Sequence, residues 1–289
     1  MSDRKKITVP HIVSMKRKRQ KIVMVTAYDA TFARLVDEAG ADMVLVGDTL
    51  GAVIQGHENT LPVTLDDVVY HTRAVSRGLT RAHLVADMPF MTAQISIENA
   101  LRSAGRLMQE GRAHSVKLEG GVEAAKTVRA LTAVGIPVVG HVGLRPQSIH
   151  AMGGHRIQGK RRADQARILE DAAAVAEAGA FCLVLEGIPM ELAAAVTAHV
   201  EIPTIGIGAG PECDGQVLVL YDLLGLNEDF QPKFLKRFAN LGAEVRRAVS
   251  QYATETRSGI FPEAAHCVSL GESEPFGEVP SAPAKRVTH

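Results

Sequence analysis

Eight short runs of apolar, largely β-branched residues recur along the chain, and three of them end on an acid, at Asp48, Asp87 and Glu119. The runs span 21–27, 42–47, 82–87, 114–119, 136–141, 180–186, 202–207 and 216–221. They lack the alternation of a half-exposed sheet, so they read as strands buried on both faces. Helical patterns fall between them at 64–77, 97–109, 122–134 and 163–178, and a last helix is expected over 232–253. Nothing marks a reversal of strand order. The pattern therefore predicts an α/β fold, a single-domain (β/α)8 TIM barrel, rather than an open sheet.

Two repeated signals support the alternation. Glu-Ala-Gly-Ala occurs at 38–41 and again at 177–180, where glycine suits the end of a helix before a strand. Ile-Pro at 136–137 and 202–203 places a proline where a strand begins. The barrel is expected over 21–262, preceded by a basic, helical segment at 1–20 and followed by a tail at 263–289. That tail is rich in Ser, Pro, Gly and Glu and is expected to be disordered. The stretch 143–162, after the fifth strand, has no apolar periodicity and reads as a functional loop.

The 32 basic residues balance 32 acidic ones, so no net field favours nucleic acid or a membrane surface, and a small-molecule partner is expected. The charges from Lys16 to Lys21 read as a solvated helix face. Cys182, Cys213 and Cys267 are far apart and lack CxxC spacing, which fits neither a disulfide framework nor a zinc site. The basic start has no apolar stretch long enough for a signal peptide, and glutamates interrupt the apolar stretch 172–196. A cytoplasmic protein is expected.

All strand C-termini of a parallel barrel open on one face, so acids ending adjacent strands converge. Asp48, Asp87 and Glu119 form an oxygen-only set of the kind that holds Mg²⁺ and leaves positions for substrate. Each acid alone would also serve as a helix cap. Lys117 precedes Glu119 by two residues and shares its face, so it either holds a substrate carboxylate or enolate oxygen or merely neutralises excess acid. Glu186 ends the sixth strand after Phe-Cys-Leu-Val-Leu, an apolar setting that favours a general base. His141 ends the fifth and is either a second acid-base group, an orienter of Lys117 or a core histidine. The run Gly154–Arg161 approaches a P-loop but lacks its hydroxyl residue and its preceding strand. Gly206, Gly208 and Gly210 read as turn glycines.

TAYDATFA, VGDTLG, QGHENTLPVT, ADMPF, VKLEGG, GHVGLRPQS, LVLEGIP and GIGAGPECDGQ, from Thr26 to about Pro262, closely resemble the ketopantoate hydroxymethyltransferases of the phosphoenolpyruvate/pyruvate barrel superfamily. The resemblance implies transfer of a hydroxymethyl group from 5,10-methylenetetrahydrofolate to α-ketoisovalerate (3-methyl-2-oxobutanoate), giving 2-dehydropantoate for pantothenate and coenzyme A synthesis. It implies Mg²⁺ at Asp48, Asp87 and, through water, Glu119, with ketoacid contacts from Thr49 and Lys117, Glu186 as base and His141 nearby. Position 49 departs from the family's usual Ser, and Thr keeps the hydroxyl while adding a methyl. A homo-oligomer, decameric in the family, is also implied. Two other readings remain at this point: a folate-independent, metal-dependent carbon–carbon lyase or mutase of the same superfamily, and a non-catalytic ketoacid-binding scaffold.

Overall fold

A computed structural model describes residues 5–269 and Gly277. The chain divides into two compact units, Met1–Asn240 and Leu241–His289. The first unit holds eight parallel strands: β1 (Ile22–Thr26), β2 (Met43–Val46), β3 (His83–Asp87), β4 (Ser115–Glu119), β5 (Val138–Gly143), β6 (Cys182–Glu186), β7 (Thr204–Ile207) and β8 (Gly215–Leu218). They pair in sequence order and close through β1 and β8 into a barrel, as the alternation of runs predicts. The helices α1 (Val9–Arg17), α2 (Ala30–Glu38), α3 (Leu50–Val53), α4 (Leu65–Ser76), α5 (Ile97–Gln109), α6 (Ala125–Ala133), α7 (Ile149–Met152), α8 (Arg162–Glu177), α9 (Met190–His199) and α10 (Leu220–Leu223) complete the unit.

Burial on both faces produces two cores. Met24, Met43, Leu45, Val85, Val139, Val184, Ile205 and Val217 fill the barrel interior. Their strand neighbours Val25, Val44, Leu84, Ala86, Val138 and Leu183 point outward against the helices. Local signals set the helix ends. Asp29 accepts from the Phe32 N–H, Thr64 and Asp67 form a reciprocal capping box, and Ser96 caps α5. Gly40 and Gly179, in the repeated Glu-Ala-Gly-Ala segments, adopt φ of 99° and 103°, the left-handed exits that glycine allows.

The N-terminal end of the barrel is stoppered by α1, whose Ile12 is fully buried with the interior residues. A buried side chain of this size contributes roughly 1.5–3 kcal/mol. Lys16 on the same helix donates to the carbonyls of Thr197 and Ile202 at 2.8 and 3.0 Å and pairs with Asp214 at 3.0 Å. Lys21 donates to the carbonyls of Pro211 and Cys213. The reading of Lys16–Lys21 as a solvated face is thus corrected at both ends, because these two ammonium groups are taken up by backbone carbonyls and, for Lys16, by Asp214.

Three boundaries also move. The eighth run stops at Leu218, because Leu220–Leu223 turns into α10. The last helix, α11, covers Leu241–Ser258 in the second unit and does not begin at Pro232. The Arg237 guanidinium gathers the carbonyls of Asn227, Glu228 and Phe230 and holds the preceding stretch as a loop. In the tail, Ala264–His266 forms one tight helical turn; the rest of the stretch expected to be disordered, apart from Glu263, 267–269 and Gly277, lies outside the described residues. No helix among the described residues is long and apolar enough to cross a membrane.

Candidate active site

Strand register brings the predicted residues together. Asp87 at the end of β3 lies opposite Lys117 in β4, and Glu119 lies opposite His141 in β5. Lys117 Nζ is 2.8 Å from Asp87 Oδ1, and both side chains are almost wholly buried. The other Asp87 oxygen accepts from the Asp48 N–H at 3.0 Å. This bond fixes the turn after β2, which brings Asp48 beside Asp87. Thr49, the residue before α3, lines the cavity together with Asp48, Asp87, Lys117, Glu119, His141 and Glu186.

One contributor escaped the sequence reading. Gln147, in the loop after β5, is buried and donates from Nε2 to Asp48 Oδ2 at 2.8 Å and to the Met88 carbonyl at 3.0 Å. Its own N–H donates to Glu119 Oε2 at 3.1 Å, so one residue joins the ends of three strands. The available signals were the unpatterned length of 143–162 and the Pro146 that fixes the turn before it. The near P-loop at Gly154–Arg161 is loop without a preceding strand. A Cβ on Gly210 would lie 2.4 Å from that of Met190, which accounts for that glycine by packing.

The charges do not balance. Asp48, Asp87 and Glu119 are 3, 1 and 8% exposed, against one buried ammonium, that of Lys117. Burial, reinforced by Asp87, pushes the Asp48 carboxyl up to about 7. Burial also holds the Glu119 carboxyl well above the usual range, with Lys117 opposing. For Lys117, burial works against the charge but the surrounding Asp87, Glu119 and Asp48 outweigh it, so its ammonium is retained. Asp87 Oδ1, Glu119 Oε1 and His141 Nε2 carry no well-directed hydrogen bond. Excess buried acid with open oxygens is a chemistry that a hard cation would neutralise. Among the described residues, however, no group of three or more His, Cys, Asp or Glu side chains is spaced to hold a metal ion. The three acids therefore converge without forming a ready-made triad, and two carboxylates with water and substrate oxygens are the fitting arrangement for Mg²⁺.

His141 lies between the two halves of the site. Its Nδ1 is 3.4 Å from Lys117 Nζ and its Nε2 is 3.3 Å from Glu186 Oε2. Burial and the neighbouring ammonium hold the imidazole below its usual pKa, so it is neutral. An ammonium only donates, so Nδ1 is the acceptor and the ring proton is assigned to Nε2, towards Glu186. Glu186 ends β6 with its side chain 21% exposed, at the rim rather than in the buried cluster.

The inner cavity, about 50 Å³, is lined by these groups. It shares Thr49, Pro146, Glu186, Ile207 and Val219 as a common wall with an outer cavity of about 230 Å³. A larger hollow of about 500 Å³ lies beside Arg145, Arg167 and Asp171, and none of the mouth acids lines it.

The raised Asp48 carboxyl has a measurable consequence for the metal-free protein. The folded chain retains a proton that the unfolded chain releases near its ordinary 3.8, so this contribution to stability is full below that value and is lost as pH rises through about 7. Denaturation of metal-free wild type and Asp48→Asn at about pH 5 and about pH 8 should show wild type losing ground to the variant as pH rises. A difference independent of pH would mean that Asp48 keeps one protonation state across that range.

A barrel with buried acids, one lysine and a rim carboxylate at the strand C-termini is the arrangement of a small-molecule enzyme. Among solved structures, the fold is similar to that of 2,3-dimethylmalate lyase, a PEP mutase/isocitrate lyase superfamily member, with a TM-score of 0.56 at 18% identity, covering 90% of this chain and 91% of that one. The sequence profile of the ketopantoate hydroxymethyltransferases matches residues 6–264. Curated relatives include a 3-methyl-2-oxobutanoate hydroxymethyltransferase of Pelobacter propionicus, 58% identical over 92% of this chain and 99% of its own length. Another, from Trichlorobacter lovleyi and of the same name, is 56% identical over 92% of this chain and all of its own. The chain belongs to the ketopantoate hydroxymethyltransferase family.

Proposed function

We propose that this chain transfers the one-carbon unit of 5,10-methylenetetrahydrofolate to 3-methyl-2-oxobutanoate, water supplying the hydroxyl oxygen, to give 2-dehydropantoate for pantothenate and coenzyme A synthesis. The name shared by relatives above half identity supports the reaction. The observation that carries the chemistry is the placement of one carboxylate, Glu186, at the rim of a small cavity whose floor holds Lys117 and the paired Asp48 and Asp87.

Lys117 and the Thr49 hydroxyl hold the ketoacid's carboxylate and keto oxygens. Glu186 takes the proton from C3, with the His141 ring beside its carboxylate, Nε2 3.3 Å from Oε2. The charge left on C3 spreads to the keto oxygen beside the Lys117 ammonium, and C3 then bonds to the donor's methylene carbon, whose two C–N bonds give way to this C–C bond and to a C–O bond from water as tetrahydrofolate leaves. Asp48 and Asp87 would hold Mg²⁺, with Glu119 reached through water, and when bound the cation supplies Lewis-acid polarisation of the keto group. A cytoplasmic setting is supported by the three free cysteines. Assembly into a homo-oligomer, decameric by resemblance, is supported by exposed Val245, Val249 and Tyr252, spaced along one face of α11.

Incubation with the ketoacid, the folate and Mg²⁺ should yield 2-dehydropantoate, and a chelator should abolish turnover until Mg²⁺ is restored. Proton NMR in D₂O should show loss of the C3 proton without any folate, since Glu186 acts before the donor does. A folate-independent lyase would form no such product, and a binding scaffold would exchange no proton; either result would replace this reading.

A further inference from the structure

The outer cavity contains a buried carboxylate that the chemistry at C3 does not use. Asp222, in α10 just after β8, is 5% exposed and lines the wall of the 230 Å³ cavity. Its Oδ1 accepts from Asn227 Nδ2 at 2.9 Å, which fixes the carboxylate's orientation. No described residue donates to Oδ2. Burial raises its pKa against the pull of Asn227 and Arg237, so keeping a charge here is costly unless a ligand uses it. The surrounding wall is apolar and partly aromatic, with Ile149, Leu218, Phe230 and Phe234.

The cavity therefore offers flat apolar faces and one buried, oriented double acceptor, the other lining carboxylates being exposed Glu58 and Glu186 of the wall it shares with the inner site. A planar heterocycle carrying two adjacent N–H donors fits that chemistry. We propose that Asp222 is the specificity residue for the one-carbon donor, its carboxylate accepting from the 2-amino group and N3–H of a reduced pterin whose ring lies against the Phe230 and Phe234 side of the cavity. Asn227 is a positioning residue, because its amide holds the carboxylate. The proposal rests on the reaction assigned above: the donor's reactive carbon must reach the wall shared with Glu186, and the shared residues place the two cavities side by side.

The test is equilibrium binding to the Mg²⁺-loaded enzyme of tetrahydrofolate and of its 2-desamino-2-methyl analogue. Wild type should prefer tetrahydrofolate by roughly 10-fold or more, the effect of removing one hydrogen bond to a charged acceptor. Asp222→Asn should weaken tetrahydrofolate by roughly 10- to 150-fold and lose most of the preference, because the charge that reads the amino group is gone. Equal affinity of wild type for both ligands overturns the proposal, and that comparison stands even if the variant fails to fold. A variant that keeps the full preference overturns it too, leaving Asp222 as an anchor for the loop that carries Asn227. If wild type binds no tetrahydrofolate at all, both this inference and the assigned reaction fall. If it binds without discriminating, only this inference falls.

Discussion

Glu186→Gln should bind Mg²⁺ and 3-methyl-2-oxobutanoate with little change while C3 exchange and condensation both fall by roughly 10²- to 10⁴-fold, the usual worth of a positioned general base. The substitution nearly preserves shape, and Glu186 lies at the rim, bonded to neither Lys117 nor the Asp48–Asp87 pair. Loss of a proton acceptor there should leave the binding floor intact. Proton NMR of the ketoacid in D₂O measures the exchange, and calorimetry measures the binding. Exchange at the wild-type rate would move the base elsewhere. The next candidate would be His141, whose neutral ring meets Glu186 on one side and Lys117 on the other.

Asp87→Asn should be damaging in a different way. The native carboxylate answers two groups at once, the Lys117 ammonium and the Asp48 N–H. Removing its charge leaves a buried ammonium with less compensation, and breaking such a pair typically costs about 3–5 kcal/mol of stability. Metal affinity should fall as well, because a neutral amide oxygen replaces a carboxylate. Both effects can be read separately, by denaturation of the metal-free protein and by Mg²⁺ titration of the folded one. A variant with wild-type Mg²⁺ affinity would remove Asp87 from the proposed cation site.

The barrel was legible because parallel strands buried on both faces must be apolar almost without interruption, and short length with β-branched residues separates such runs from buried helix. The candidate residues were legible because register in a barrel is nearly a matter of counting: acids at strand ends share one face. What escaped were groups whose partners are distant in sequence and whose own neighbourhood has no pattern. Gln147 meets Asp48 across 99 positions, and nothing in Arg-Pro-Gln-Ser specifies such a contact. Lys16 looked like part of a solvated charge run because its partners, at Thr197, Ile202 and Asp214, belong to the other end of the barrel sequence. The stretch before α11 carried a proline suited to starting a helix, yet three carbonyls drawn onto Arg237 hold it as a loop.

The N-terminal stopper bears on how such a ring is made. β1 pairs with β8, and Lys16 crosses the same seam to Asp214, so the seam is fastened by main chain and by side chain. Both fastenings join residues almost two hundred positions apart, and contacts of that span form slowly because the chain entropy must be lost before they are gained. Closure is therefore a late event, and until it happens the edges of β1 and β8 are open templates for pairing with other chains. A short helix outside the eightfold repeat thus acts as a latch, which must come loose along with the strand pairing before the closed ring can open at that seam.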